Sequence, residues 1–151
     1  MKLSKSLSKM NSKTNKLSLI FTAILSFLGF VDSTYLTIVH YKNIIPPCLI
    51  TQDCEKVLTS RFATIANIPI SLFGSIFFVL IFVICILILQ KKQEYLKKML
   101  FLLSASGIIA GIILFYLQWM VLKAFCQYCL LVEAILLGIF ILSYPFNSSE
   151  R

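Results

Sequence analysis

Apolar residues fill four blocks of this chain, residues 17–41, 69–90, 99–122 and 126–144, separated by polar or basic segments. Each block is close to or beyond the ~20 residues that a helix needs to cross about 30 Å of hydrocarbon. In lipid a segment must satisfy its backbone hydrogen bonds internally, and four segments cannot close a barrel, so each block is predicted to be helical. The expected fold is all-α: a polytopic membrane four-helix bundle with an outer loop between the first and second helices. The first block is far longer than a signal-peptide core of roughly 7–15 residues, and no A-x-A-like cleavage site follows it. It reads as a retained helix. No Arg precedes it, which argues against a mitochondrial transit sequence.

Composition agrees with the pattern. Hydrophobic residues make up 59% of the 151 residues, charged residues 13%, and mean hydropathy is +0.92. Soluble proteins carry roughly 45–50% apolar residues, and a water-soluble domain of this size could not hide the excess. The net charge of +8 would fit a nucleic-acid binder, but the lysines gather beside the apolar blocks, as membrane flanks do. Ten Lys and Arg (Lys2, Lys5, Lys9, Lys13, Lys16, Lys91, Lys92, Lys97, Lys98 and Arg151) lie on one side of the spans, and four (Lys42, Lys56, Arg61, Lys123) on the other. The positive-inside rule then puts both termini in the cytoplasm. Residues 1–16 form a basic cytoplasmic segment, 17–145 the transmembrane domain and 146–151 a short cytoplasmic tail. Residues 91–98 are read as a charged cytoplasmic connector. The three-residue turn at 123–125 makes the last two helices an antiparallel hairpin. Gly107 and Gly111 in the third helix, and Gly29 with Ser33 in the first, have the small-x-x-x-small spacing that permits close helix contact.

Four of the five cysteines fall on the outer side: Cys48 and Cys54 in the first loop, Cys126 and Cys129 at the start of the fourth helix. Cys126-Gln-Tyr-Cys129 is a C-x-x-C at a helix amino terminus, where exposed N–H groups and the helix dipole favour the reactive thiolate. Redox work is the reading preferred. Two others stay open: an inert bridge, which would gain little by closing so small a loop, and a metal site completed by Cys48 and Cys54, whose spacing is wider than the usual two to four residues. As a redox device, two outer pairs make a relay, with a loop pair that reaches the partner and a helix pair that passes electrons inward through a mixed disulfide. The chain carries no haem, flavin or iron–sulfur signature and no glycine-rich dinucleotide motif. A quinone in the bilayer, ubiquinone or menaquinone, fits as the acceptor, in a pocket among the helices near Cys129.

The order and spacing of further residues resemble the vitamin K epoxide reductase family from Gly29 to Leu137. They are Tyr35, Leu36, Thr37 and His40; Cys48 and Cys54 with Glu55, Val57, Ser60 and Arg61; Ile68, Pro69 and Gly74; Tyr116 and Leu117; and Phe125, Cys126, Tyr128 and Cys129. The resemblance is to bacterial members, on the short loop spacing. It implies a multi-pass protein of a bacterial plasma (inner) membrane that forms disulfides on the periplasmic side. Cys48 and Cys54 would be the shuttle pair, Cys126 would exchange with the loop, and Cys129 would face the quinone. Ser60 would lie near the quinone ring and donate a hydrogen bond to a carbonyl oxygen. Many bacterial members carry a fused thioredoxin-like domain, and this sequence stops at Arg151, so the expected partner is a separate periplasmic thioredoxin-fold, DsbA-like protein. Electrons would run downhill, since even a partner at about −120 mV lies below a typical quinone pool.

Other polar residues in the spans are candidates for the same site. Asp32 is costly in a membrane helix and should be partnered, protonated or functional. Glu133 lies one turn beyond Cys129 on the same face and could supply protons. Gln118 and Trp119 could face the pocket, and Phe115 could wall it. His40 is read as capping its helix end or sitting in the headgroup region, and Cys85 as a small buried hydrophobe. The DsbB family also pairs four helices with two cysteine pairs, but there the second pair sits in a long outer loop where this chain has three residues. The alternative of a different class is a non-catalytic membrane protein that binds metal through its outer cysteines.

Overall fold

The computed structural model describes the backbone of residues 2–48, 54–91 and 93–148, and side chains from 16 to 144 within those stretches. Lys92, Arg151 and the loop residues 49–53 lie outside the described residues, and with them part of the charge count and the middle of the expected shuttle loop. In chain order the elements are α1 (Lys2–Tyr41), α2 (Cys54–Leu58), a 3-10 turn (Arg61–Ala63), β1 (Thr64–Ile65), β2 (Ile68–Pro69), α3 (Ile70–Lys91), α4 (Glu94–Tyr116), a π-helical stretch (Leu117–Leu122) and α5 (Gln127–Ser148). Four stretches are long and apolar enough to span a membrane: Lys16–Lys42, Ile70–Lys91, Glu94–Leu122 and Gln127–Tyr144. The protein is a helical membrane bundle.

One boundary differs from expectation. The third span starts at Glu94 and not at residue 99, which shortens the connector. Glu94 sits in the first turn, where a carboxylate suits the helix dipole, and it accepts a 2.6 Å ion pair from Lys97 one turn on. Those charges were legible as a connector only because the apolar run begins after them.

The long helices close a ring, with α1 against α3 and α5, and α4 against α5 and α3. Small residues set the approach. A Cβ on Gly29 would stand 2.6 Å from the Phe78 ring, and one on Gly107 would stand 2.7 Å from Phe77 and 3.1 Å from Leu136. Gly111 faces Leu136 and Glu133. Both small-x-x-x-small pairs therefore lie on helix contacts, where backbones must come close in the absence of a hydrophobic drive within lipid. Thr37 donates to Ser71 Oγ (3.0 Å) and Thr34 meets Ser75 Oγ (3.3 Å), pinning α1 to α3. Phe78, Ile81, Leu100 and Ile139 fill the centre with Cys85, while Ile24, Phe27, Ile112 and Ile141 turn outward to lipid.

Over the cysteine-bearing end of the bundle lies a small cap. β1 and β2 pair antiparallel across a two-residue turn in which Ala66 and Asn67 both have positive φ (51° and 65°), the requirement of a primed hairpin turn. The third span ends by widening to a π-helical stretch, Leu117–Leu122, closed by Lys123 in the left-handed conformation (φ 46°). The Gln118 carbonyl accepts from the N–H groups of both Lys123 and Ala124. This folds the chain straight into α5.

Candidate redox site

The hairpin between the third and fourth spans brings Cys126 to the amino terminus of α5, and the loop after α1 brings Cys48 and Cys54 over it. Cys48 and Cys54 form a disulfide, whereas Cys126 and Cys129 are free thiols. Cys54, Val57, Ala124 and Cys126 make one buried cluster against which Cys48, Leu58, Leu122, Tyr128 and Cys129 pack. All four of these sulfurs thus share one cluster of contacts. A disulfide supplies no thiolate ligand, so the bonded loop pair cannot complete a four-cysteine metal site.

Tyr128, inside the C-x-x-C, holds the loop in place. Its hydroxyl donates to the Pro47 carbonyl (3.0 Å), one residue before Cys48, and its ring lies 5.6 Å from that of Tyr35 on α1. Cys126 sits just ahead of α5, its carbonyl accepting from Leu130 N–H (3.0 Å). Its thiol is drawn down from 9.0 to about 7, first by a hydrogen bond donated from the Cys129 thiol, and also by the N–H groups of Cys129 and Tyr128. Burial and the charge of Asp32 oppose this. The result is a nucleophile about half ionised at pH 7, with its resolving thiol already in contact.

A cleft opens beside Cys129, with about 830 Å³ of empty space including its mouth. Leu36, Val57, Leu58, Phe62, Ile70, Leu114, Leu117 and Val132 make its walls apolar, and Ser33, His40, Ser60, Ser71, Gln118 and Cys129 are its polar points. An apolar body with a few polar atoms fits it. Ser60 is in the wall as expected, though its hydroxyl donates to the Val57 carbonyl (2.7 Å), leaving the oxygen free to accept rather than the proton free to give.

The remaining candidates divide. Gln118 lines the cleft, but its amide is engaged behind the wall: Oε1 accepts from Cys126 N–H (3.1 Å) and Nε2 donates to Glu133 Oε1 (2.9 Å). Glu133 stands behind Cys129 and Gln118 and is not part of the wall. Phe115 does not wall the cleft, and this corrects the expectation from sequence. The lining stripe of this helix runs through Leu114, Leu117, Gln118 and Leu122, whereas Phe115 and Trp119 meet edge to face (5.6 Å) on the neighbouring stripe, exposed to lipid. His40, read as capping its helix end or sitting in the headgroup region, also lines the cleft. Asp32 Oδ2 is buried with no hydrogen-bond partner among the described residues. Nothing in the sequence marks the π-helical stretch, which has ordinary helix formers throughout.

No curated protein matches the chain. The family model described as the vitamin K epoxide reductase family matches residues 20–144, most of the chain, and the protein belongs to that family of membrane thiol oxidoreductases.

Proposed function

We propose that this family member re-oxidises a separate periplasmic thioredoxin-fold partner and passes the electrons to a quinone in a bacterial plasma membrane. The observation that carries the reading is the single buried cluster holding both sulfur pairs, with Cys129 in the wall of an apolar cleft.

A thiolate of the reduced partner attacks the Cys48–Cys54 bridge, and the partner's second thiol closes its own disulfide, leaving two loop thiols. With Cys126 and Cys129 joined, a loop thiolate then attacks Cys126 and releases Cys129. The second loop thiol displaces Cys126, which restores the Cys48–Cys54 bridge and leaves the inner pair reduced. A bridged loop pair beside free inner thiols, as Cys48–Cys54 stands beside Cys126 and Cys129, supports the reading. A bound quinone supplies a two-electron, two-proton acceptor. Cys129, in the wall, is the sulfur nearest such an occupant, and Cys126 closes on it as two electrons leave. Ser60 and His40 orient polar atoms of the occupant, while Glu133 and Asp32 are the acids that exchange protons with the thiols.

The test uses the full chain in nanodiscs, fully reduced and mixed anaerobically with menaquinone or ubiquinone. Two thiols should disappear for each quinol formed, and none in Cys129→Ser. Thiols that persist in the wild-type protein with either quinone would overturn the reading.

A further inference from the structure

We infer that Gln118 is the positioning residue of the thiol pair, its amide clamping the Cys126 backbone and the Glu133 carboxyl together so that the acid supports the turn carrying the reactive sulfur. The inference deepens the function proposed above and rests on Cys126 being the exchanging sulfur.

Gln118 is 3% exposed and makes its bonds from both backbone and side chain. Its carbonyl holds Lys123 and Ala124, and its Oε1 holds Cys126, so one residue fixes both ends of the 123–126 turn. The orientation of the amide is set by chemistry: the Cys126 N–H can only donate, so the oxygen must face it and the NH2 must face an acceptor. Glu133 Oε1 is that acceptor, 2.9 Å away. The π-helical stretch is what points Gln118 inward, and such stretches recur at functional sites.

The consequence reaches the sulfur through geometry. The N–H groups of Tyr128 and Cys129 converge on Cys126 only if the chain enters α5 at one angle. The Gln118 bond to the Cys126 N–H is the contact that sets the angle from the opposite helix. Releasing it leaves a buried N–H unpaired, and the turn can relax toward a water or another acceptor at the expense of those contacts. The charged and titratable groups facing Cys126 are Asp32 from α1 and Cys129 from α5, with Glu133 reaching it only through the amide.

The experiment reads alkylation of Cys126 by iodoacetamide, resolved by peptide mass, in the reduced full-length protein across pH 5–10, with buried Cys85 as the internal reference. Gln118→Met keeps the length of the side chain and removes donor and acceptor. It should slow Cys126 alkylation at pH 7 about fivefold and raise the midpoint by about one pH unit. A profile that superimposes on wild type overturns the inference. Should that variant fail to fold, Glu133→Gln and Glu133→Leu decide the matter. Both remove the charge, but only the first keeps an oxygen for the Gln118 amide. Alkylation should be about threefold or more faster in Glu133→Gln, and equal rates contradict the clamp. No quinone enters the assay, so its outcome stands apart from whether quinone is the acceptor.

Discussion

Gly29 shows how little room the bundle leaves at single positions. A methyl group there would press on a Phe78 ring that is 1% exposed and has nowhere to move. Gly29→Ala is therefore expected to cost about 1–3 kcal/mol by overpacking, despite alanine's better helix propensity. The loss should be partly recovered in Gly29→Ala/Phe78→Leu, as read by thermal unfolding in detergent. At the thiol pair, Cys129→Ala removes the first of the donors to Cys126 and leaves the two backbone donors. The Cys126 alkylation midpoint should rise from about 7, because burial then opposes the two backbone donors that remain. Because the thiolate is the form that reacts, the variant should lag wild type by the largest factor at and below pH 7 and approach it once the pH passes the variant's own midpoint. Residue identities carried much of this in advance. The cysteines, Ser60, Gln118 and Glu133 stand together because apolar spans leave few polar atoms with anywhere to go. Phe115 was misread because an aromatic side chain gives no sign of which stripe of its helix faces the protein and which faces lipid.

Helices were legible where composition alone dictates them. Four apolar runs, each too long for anything but a span, leave the chain no other way to satisfy its backbone. The cap was not legible in the same way. The five-residue α2, the hairpin with Ala66 and Asn67 at positive φ, and the π-helical end of the third span all depend on contacts made over the bundle, not on local propensity. Lys123 gives an element-level test. It ends the π-helical stretch in a left-handed conformation that costs an L-residue about 1–2 kcal/mol and glycine almost nothing. Lys123→Gly should raise the thermal midpoint by a few degrees, and Lys123→Val should lower it, since a branched side chain tolerates positive φ poorly.

Across the whole molecule, the fold turns two distant stretches of sequence into one site. The Cys48–Cys54 loop follows α1 and the C-x-x-C opens α5, and the contact of these two helices across the ring places both pairs at one end of the bundle. Tyr128 adds a tether from α5 to Pro47. If the pairs exchange, a chain lacking Cys129 should stall midway, because Cys126 can attack the loop bridge but has no neighbour to resolve it. The most direct measurement is peptide mass mapping of Cys129→Ser purified with its thiols blocked at lysis. A disulfide joining Cys126 to Cys48 or Cys54, with the other loop cysteine blocked as a free thiol, is the expected result. An intact Cys48–Cys54 bridge beside a wholly blocked Cys126 would contradict the relay.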